Sequence, residues 1–270
     1  MKDRPIVLIG AGRMGSALLS GWAARNIAPL VAVEPAPSAA LESLCRRHHI
    51  ALFPRAGSID SLRAAACIVA LKPQILKSEA ERLRPLAQSG ALMISIAAGT
   101  NVATLRRAWG ANARIIRAMP NTPGAIGRGI TALYAAPGTN ARDRKLAGHL
   151  LAALGETLWL SSEGAIDSVT AVSGSGPAYV FLLVEALAAA GQAQGLPRAT
   201  AQRLARATVV GAGALLDADP APAARLRQNV TSPGGTTAAA LNVLMARNGL
   251  AALMTRAVTA ARRRARELGA

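Results

Sequence analysis

Over the first 160 residues, short β-branched runs alternate with longer stretches whose apolar residues recur every three or four positions. The runs Ile6–Ile9, Leu30–Val33, Cys67–Leu71 and Leu92–Ile96 are apolar almost throughout, the pattern of strands covered on both faces, and Arg114–Ala118 gives a shorter strand. Gly129–Tyr134 and Glu156–Leu160 read as two further strands. Ser16–Trp22, Leu41–His49 and Asp143–Leu154 read as helices. Strand and helix in turn predict a doubly wound parallel sheet. Beyond about Ser161 the strand signal stops, and Ala165–Ala190, Arg198–Leu216, Ala221–Gln228, Thr236–Arg247 and Leu250–Leu268 all carry helical spacing. The expected organisation is an α/β Rossmann-like domain over residues 1–160 and an all-α domain over 161–270.

The first strand runs straight into Gly10-Ala11-Gly12-Arg13-Met14-Gly15 and then a helix. That context makes Gly-x-Gly-x-x-Gly a dinucleotide fingerprint: a tight turn, a bare backbone beside the pyrophosphate, and close packing of helix on strand. The helix N-terminus adds N–H groups and a positive dipole end. Glu34 ends the second strand, about 20 residues on, where an acid accepts hydrogen bonds from the adenosine ribose and disfavours a 2′-phosphate. Arg13 pulls the other way, because a guanidinium in the turn can pair with that phosphate. Lys72 follows the Cys67–Leu71 strand and faces the ligand crevice at its carboxyl end. The small residues Ala97-Ala98-Gly99 suit close approach by a nicotinamide ribose. In Met119-Pro120-Asn121-Thr122-Pro123 two prolines fix an extended turn, and either X–Pro bond can be cis.

The chain has 270 residues, 51% hydrophobic but 3% aromatic, and a formal charge of +17. So few aromatics argue against a base-stacking nucleic-acid binder. The arginines are scattered along helices, apart from Arg262-Arg263-Arg264 and Arg266, and read as solvated faces. Cys45 and Cys67 show no metal-ligand spacing, and no metal site is expected. The first strand begins too soon to leave room for a signal peptide, which makes the cytoplasm the expected compartment. Ser168–Pro197 carries a single charge, Glu185, and has the length of a membrane span. Gly174-Ser175-Gly176-Pro177, Gly191 and Gly195 break it, so a buried helix is expected, with Val180–Ala190 covered by another subunit.

Two glycine-rich segments interrupt the helical half. Val172–Tyr179 places glycines inside an apolar helix, at about 1 kcal/mol each relative to alanine, which suits close approach by a ligand or another helix. Thr231-Ser232-Pro233-Gly234-Gly235-Thr236-Thr237 leads into a helix that Ser232 or Thr236 can cap; its open N–H groups suit a carboxylate.

Arg117–Pro123, Val172–Tyr179 and Thr231–Thr237, with Ala70–Gln74 and Ser95–Gly99, resemble the motifs of pyrroline-5-carboxylate reductases in the same order along nearly the whole chain. The resemblance implies a C-terminal helical dimerisation domain, dimers that can assemble into decamers, and reduction of 1-pyrroline-5-carboxylate to L-proline by NADPH or NADH. It places the substrate at Ser175, Ser232, Gly234, Gly235 and Thr236, with Thr237 as the catalytic residue near the imine nitrogen. It places the coenzyme at Gly10, Gly12, Arg13, Met14, Gly15, Glu34, Lys72, Pro73, Ala97 and Asn121. Arg13 and Glu34 stand where the family often has other residues, so both bear on coenzyme choice. A β-hydroxyacid reductase on the same scaffold would need a lysine facing the substrate, and Arg198–Ala240 has none.

Overall fold

The computed structural model describes residues 4–27 and 29–269 and separates into two compact units. The first runs to Gly174 and takes in the end of the last helix from Ala261; the second is Ser175–Ala260.

The first unit is built on one eight-stranded sheet, β1 Ile6–Ile9, β2 Leu30–Val33, β3 Ala51–Phe53, β4 Ala66–Val69, β5 Leu92–Ser95, β6 Arg114–Met119, β7 Gly129–Ala135 and β8 Gly155–Trp159, in the order 3-2-1-4-5-6-7-8. β1 pairs in parallel with both β2 and β4, so the chain reverses its winding direction there and opens a ligand crevice. Along the strands side chains point alternately to the two faces. Leu8, Ile68, Ile94 and Ile116 enter one core with α1 (Arg13–Ala24), α2 (Ala39–Arg47) and α6 (Ala141–Leu151). Val7, Ile9, Val69, Met93 and Ile115 enter the other with α3 (Pro73–Glu79), α4 (Arg84–Gln88) and α5 (Val102–Trp109).

Each core holds one fully enclosed tryptophan whose indole N–H is satisfied. Trp22 Nε1 donates to the Leu150 carbonyl at 2.8 Å, and Trp109 Nε1 to that of Ala80 at 3.0 Å. Trp22→Ala is expected to cost about 3–5 kcal/mol, read as a shift in the urea midpoint, because it opens a cavity and strands that carbonyl. A midpoint unchanged from wild type would show that α1 does not depend on this contact. Cys67 is enclosed in the second core, and burial pushes its thiol well above the usual range.

The sheet departs from expectation in two places. β3 has only three residues, too short for a pattern to show. β7 runs antiparallel to β6, with Ile116 opposite Ala135 and Met119 opposite Ala132. The intervening residues form a short 3-10 turn, Thr122–Ile126, too little chain for a parallel crossover. No peptide bond among the described residues is cis.

After β8, α7 (Ala165–Val169) passes into a π-helical turn, Thr170–Gly174. The second unit holds α8 (Gly176–Ala193), α9 (Arg198–Ala218), α10 (Ala223–Asn229), α11 (Thr236–Leu244) and the first part of α12 (Leu250–Gly269). Within one chain α8 is largely uncovered, which leaves the expected cover to another subunit: Ala188 is its one buried residue, and Phe181, Leu182 and Leu183 are at least half exposed. The run Ala165–Ala193 is long and apolar enough to cross a membrane by length and composition. An apolar face of this size needs a cover that the single chain does not supply.

Candidate coenzyme and substrate sites

The glycines of the first turn answer three different demands. Gly10 has φ +86°, and an added Cβ would lie 2.9 Å from Leu71 Cδ2 and 3.0 Å from the Ala70 carbonyl oxygen. A Cβ on Gly15 would collide with the Gly10 carbonyl oxygen, so α1 presses directly on the turn. Gly12 differs: nothing lies within 4 Å of the Cβ it lacks. The fold therefore requires Gly10 and Gly15, while no neighbour in the chain requires a glycine at position 12. Gly12 is also the N-cap of α1, without a side-chain cap and with no acid in the first turn, which leaves the positive helix end open to an anion. These residues fit a dinucleotide pyrophosphate. Gly12→Ala is expected to leave the thermal midpoint within about 2 °C of wild type while weakening coenzyme binding roughly tenfold or more. Unchanged affinity in a fluorescence titration would count against the cradle.

Glu34 follows β2 and leans over this turn. Its Oε2 accepts the Ala11 N–H at 2.8 Å and its Oε1 the Ala36 N–H at 3.2 Å. The carboxylate is thus fixed at the lip of the turn. A cavity of about 610 Å³ opens beside it, lined by the apolar Ile9, Val33, Leu71 and Ile75 and by the charged Arg55, Glu79 and Arg82. Arg13 is exposed at the first position of α1, and Met14 is half-buried after it. Lys72 is exposed and precedes Pro73 at the start of α3, just beyond β4; Ala97 is buried just beyond β5. Asn121 follows β6, so all these residues lie past the carboxyl ends of parallel strands. The Asn121 amide is already engaged: Oδ1 accepts the Ile130 N–H at 3.0 Å and Nδ2 donates to Ser173 Oγ at 3.2 Å.

In the second unit, Ser232–Gly235 forms a turn in which the Ser232 carbonyl accepts the Gly235 N–H at 3.1 Å and Gly234 has φ +69°. Gly235 is the N-cap of α11, so neither Ser232 nor Thr236 caps the helix, contrary to expectation. Glycine has no side chain with which to cap, and the first-turn N–H groups and dipole of α11 stay available to a carboxylate. Thr236 and Thr237 are exposed on that first turn. Ser175 precedes α8 and is half-buried; its carbonyl accepts the Ala178 N–H at 3.0 Å.

Sequence reasoning passed over one cluster in the first unit. Arg117, on β6, is 4% exposed, and its Nη1 donates to Glu163 Oε1 at 2.7 Å. The signal was a charge inside the buried run Ile115–Ala118, which demands a partner; nothing in Ser161-Ser162-Glu163-Gly164 marks that partner. Among the described residues no group of three or more His, Cys, Asp and Glu side chains gathers in metal-binding geometry.

Comparison with known proteins bears on both units. Residues 163–268 match the family described as pyrroline-5-carboxylate reductase dimerisation, and residues 5–99 the one described as NADP oxidoreductase coenzyme F420-dependent. The pyrroline-5-carboxylate reductase of Pseudomonas aeruginosa is 39% identical over 269 residues, covering 99% of this chain and 98% of the relative. That of Pisum sativum is 36% identical over 266 residues, covering 96% and 94%. Among solved structures, the Coxiella burnetii pyrroline-5-carboxylate reductase superposes with a TM-score of 0.90 at 35% identity, covering 98% of each chain. The Plasmodium falciparum pyrroline carboxylate reductase, solved with NADP bound, gives 0.83 at 29% identity over the whole of both chains. The chain belongs to the pyrroline-5-carboxylate reductase family.

Proposed function

We propose that this protein reduces 1-pyrroline-5-carboxylate to L-proline with NADPH or NADH, the last step of proline biosynthesis. The observation that carries the reading is a family member with two helix N-termini that no side chain caps, at Gly12 before α1 and at Gly235 before α11. The bound nicotinamide coenzyme supplies a hydride.

The protein's part is to bind, orient and exclude water. Gly10, Gly12, Arg13, Met14 and Gly15 hold the pyrophosphate, Glu34 meets the adenosine ribose, and Lys72, Pro73 and Ala97 border the rest of the coenzyme. Ser232, Gly234, Gly235 and Thr236 hold the substrate carboxylate at the start of α11, and Ser175 contributes from the start of α8. The C=N bond gains hydride at carbon and a proton at nitrogen, and Thr237 holds that nitrogen by one hydrogen bond. A protonated cyclic imine is already an electrophile, so positioning supplies most of the acceleration.

The working form is a cytoplasmic homodimer that covers the apolar face of α8 and can assemble further into decamers, with neither nucleic acid nor membrane as a partner. The deciding assay follows proline formation from pyrroline carboxylate with each coenzyme in parallel. Failure to form proline with either overturns the function, and a monomer in sedimentation overturns the assembly.

A further inference from the structure

We propose that Glu163 is a positioning residue for the coenzyme: it fixes the loop Ala97–Asn101 by holding the start of α5. This rests on the reading that the loop borders the coenzyme at Ala97.

The loop leaves β5 and enters α5 at Val102. At the β5 end the sheet fixes it, with Ile96 N–H donating to the Val69 carbonyl at 3.1 Å. At the α5 end the first-turn N–H groups have no partner within the helix. Asn101, the N-cap, takes the Thr104 N–H on its Oδ1 at 2.8 Å. The Val102 N–H is taken by a residue 61 positions away, donating to Glu163 Oε1 at 2.7 Å. An acid at that point also complements the helix dipole.

Glu163 cannot swing away from this post. The oxygen that accepts Val102 also accepts Arg117 Nη1 at 2.7 Å, and Arg117 is 4% exposed, a buried charge that needs its carboxylate. The loop's outer side is held as well. Asn101 Nδ2 donates to the Gly269 carbonyl at 3.2 Å, and Gly99, at φ +69°, lies so close to Leu268 that an added Cβ would sit 2.9 Å from its Cβ. With the sheet, the tail of α12 and Arg117 all fixed, Glu163 is the joint that sets where α5 begins.

Glu163→Ala alone strands Arg117 and risks misfolding, so the test compares two double variants that both lack the buried charge. Arg117→Met with Glu163→Gln keeps an amide oxygen for the Val102 N–H, whereas Arg117→Met with Glu163→Ala does not. Kd for NADPH is read by direct nicotinamide-fluorescence titration on the full-length protein, together with the coenzyme KM and kcat. The Ala double is expected to bind NADPH roughly tenfold more weakly than the Gln double, with the loss in coenzyme KM and kcat at saturation within about threefold. Equal affinities in the two doubles, or a loss confined to kcat, overturn the proposal. Failure of the wild-type protein to bind either NADPH or NADH overturns instead the functional reading beneath it.

Discussion

Thr237→Ala lowers kcat/KM for pyrroline carboxylate by roughly 10- to 1,000-fold, the span set by losing one positioned hydrogen bond of about 1.4–4 kcal/mol. Thr237 is the second residue of α11, whose first turn carries no side-chain cap, so the hydroxyl stands beside the N–H groups proposed for the carboxylate. A substrate held by its carboxylate at that turn is a short, rigid ring, and the proposed role has Thr237 meet its nitrogen. The loss should fall mainly on kcat, because the hydrogen bond strengthens as the nitrogen takes on amine character, while the coenzyme Kd stays at the wild-type value. Thr237→Ser retains the hydroxyl and should keep most of the rate. Wild-type kinetics in Thr237→Ala would remove the residue from the reaction. A parallel loss in Thr237→Ser would assign the effect to the missing methyl, and so to packing.

The extent to which this could be read in advance follows from the range of each signal. The parallel strands declare themselves locally: Ile6–Ile9 and Leu92–Ser95 are buried on both faces, and such strands are apolar at consecutive positions. The reversed β7 does not, because its direction is set by the short turn Thr122–Ile126 and not by its own residues. The proposed coenzyme and substrate residues lie largely in contiguous motifs, Gly10–Gly15 and Ser232–Thr237, whose order relative to a strand or helix carries the meaning. Glu163 was invisible for the opposite reason. Its role exists only once β6 brings Arg117, and α5 brings Val102, to one point from 46 and 61 residues away. The apolar run through α8 was legible as unusual, but a cover expected from another subunit leaves no mark in one chain, where Ala188 is the helix's one buried residue.

Glu34→Ser should move the ratio of NADPH to NADH efficiency toward NADPH by roughly 10- to 100-fold. Two effects add. A carboxylate about 5 Å from a 2′-phosphate charge repels it by about 3 kcal/mol at an effective dielectric near 20, and exposure and salt reduce that to about 1–2 kcal/mol. Removing the acid also takes from NADH a charge-assisted bond to the ribose. The geometry supports this role. Glu34 is pinned by the Ala11 and Ala36 N–H groups, so its charge stays at the lip of the glycine turn, and a carboxylate still has lone pairs to offer a ribose hydroxyl. Wild-type enzyme should accordingly use NADH at least as well as NADPH. The opposing residue is Arg13, exposed on the first turn of α1. If its guanidinium governs the subsite, the wild-type protein prefers NADPH strongly and Glu34→Ser changes little, which overturns the assignment. Glu34→Gln separates charge from support: its amide oxygen can still accept the Ala11 N–H, so a switch as large as that of Glu34→Ser identifies the charge as the cause. A switch seen only with Ser instead makes the shape of the Ala11 turn, and through it the seat of the pyrophosphate, the determinant of coenzyme choice.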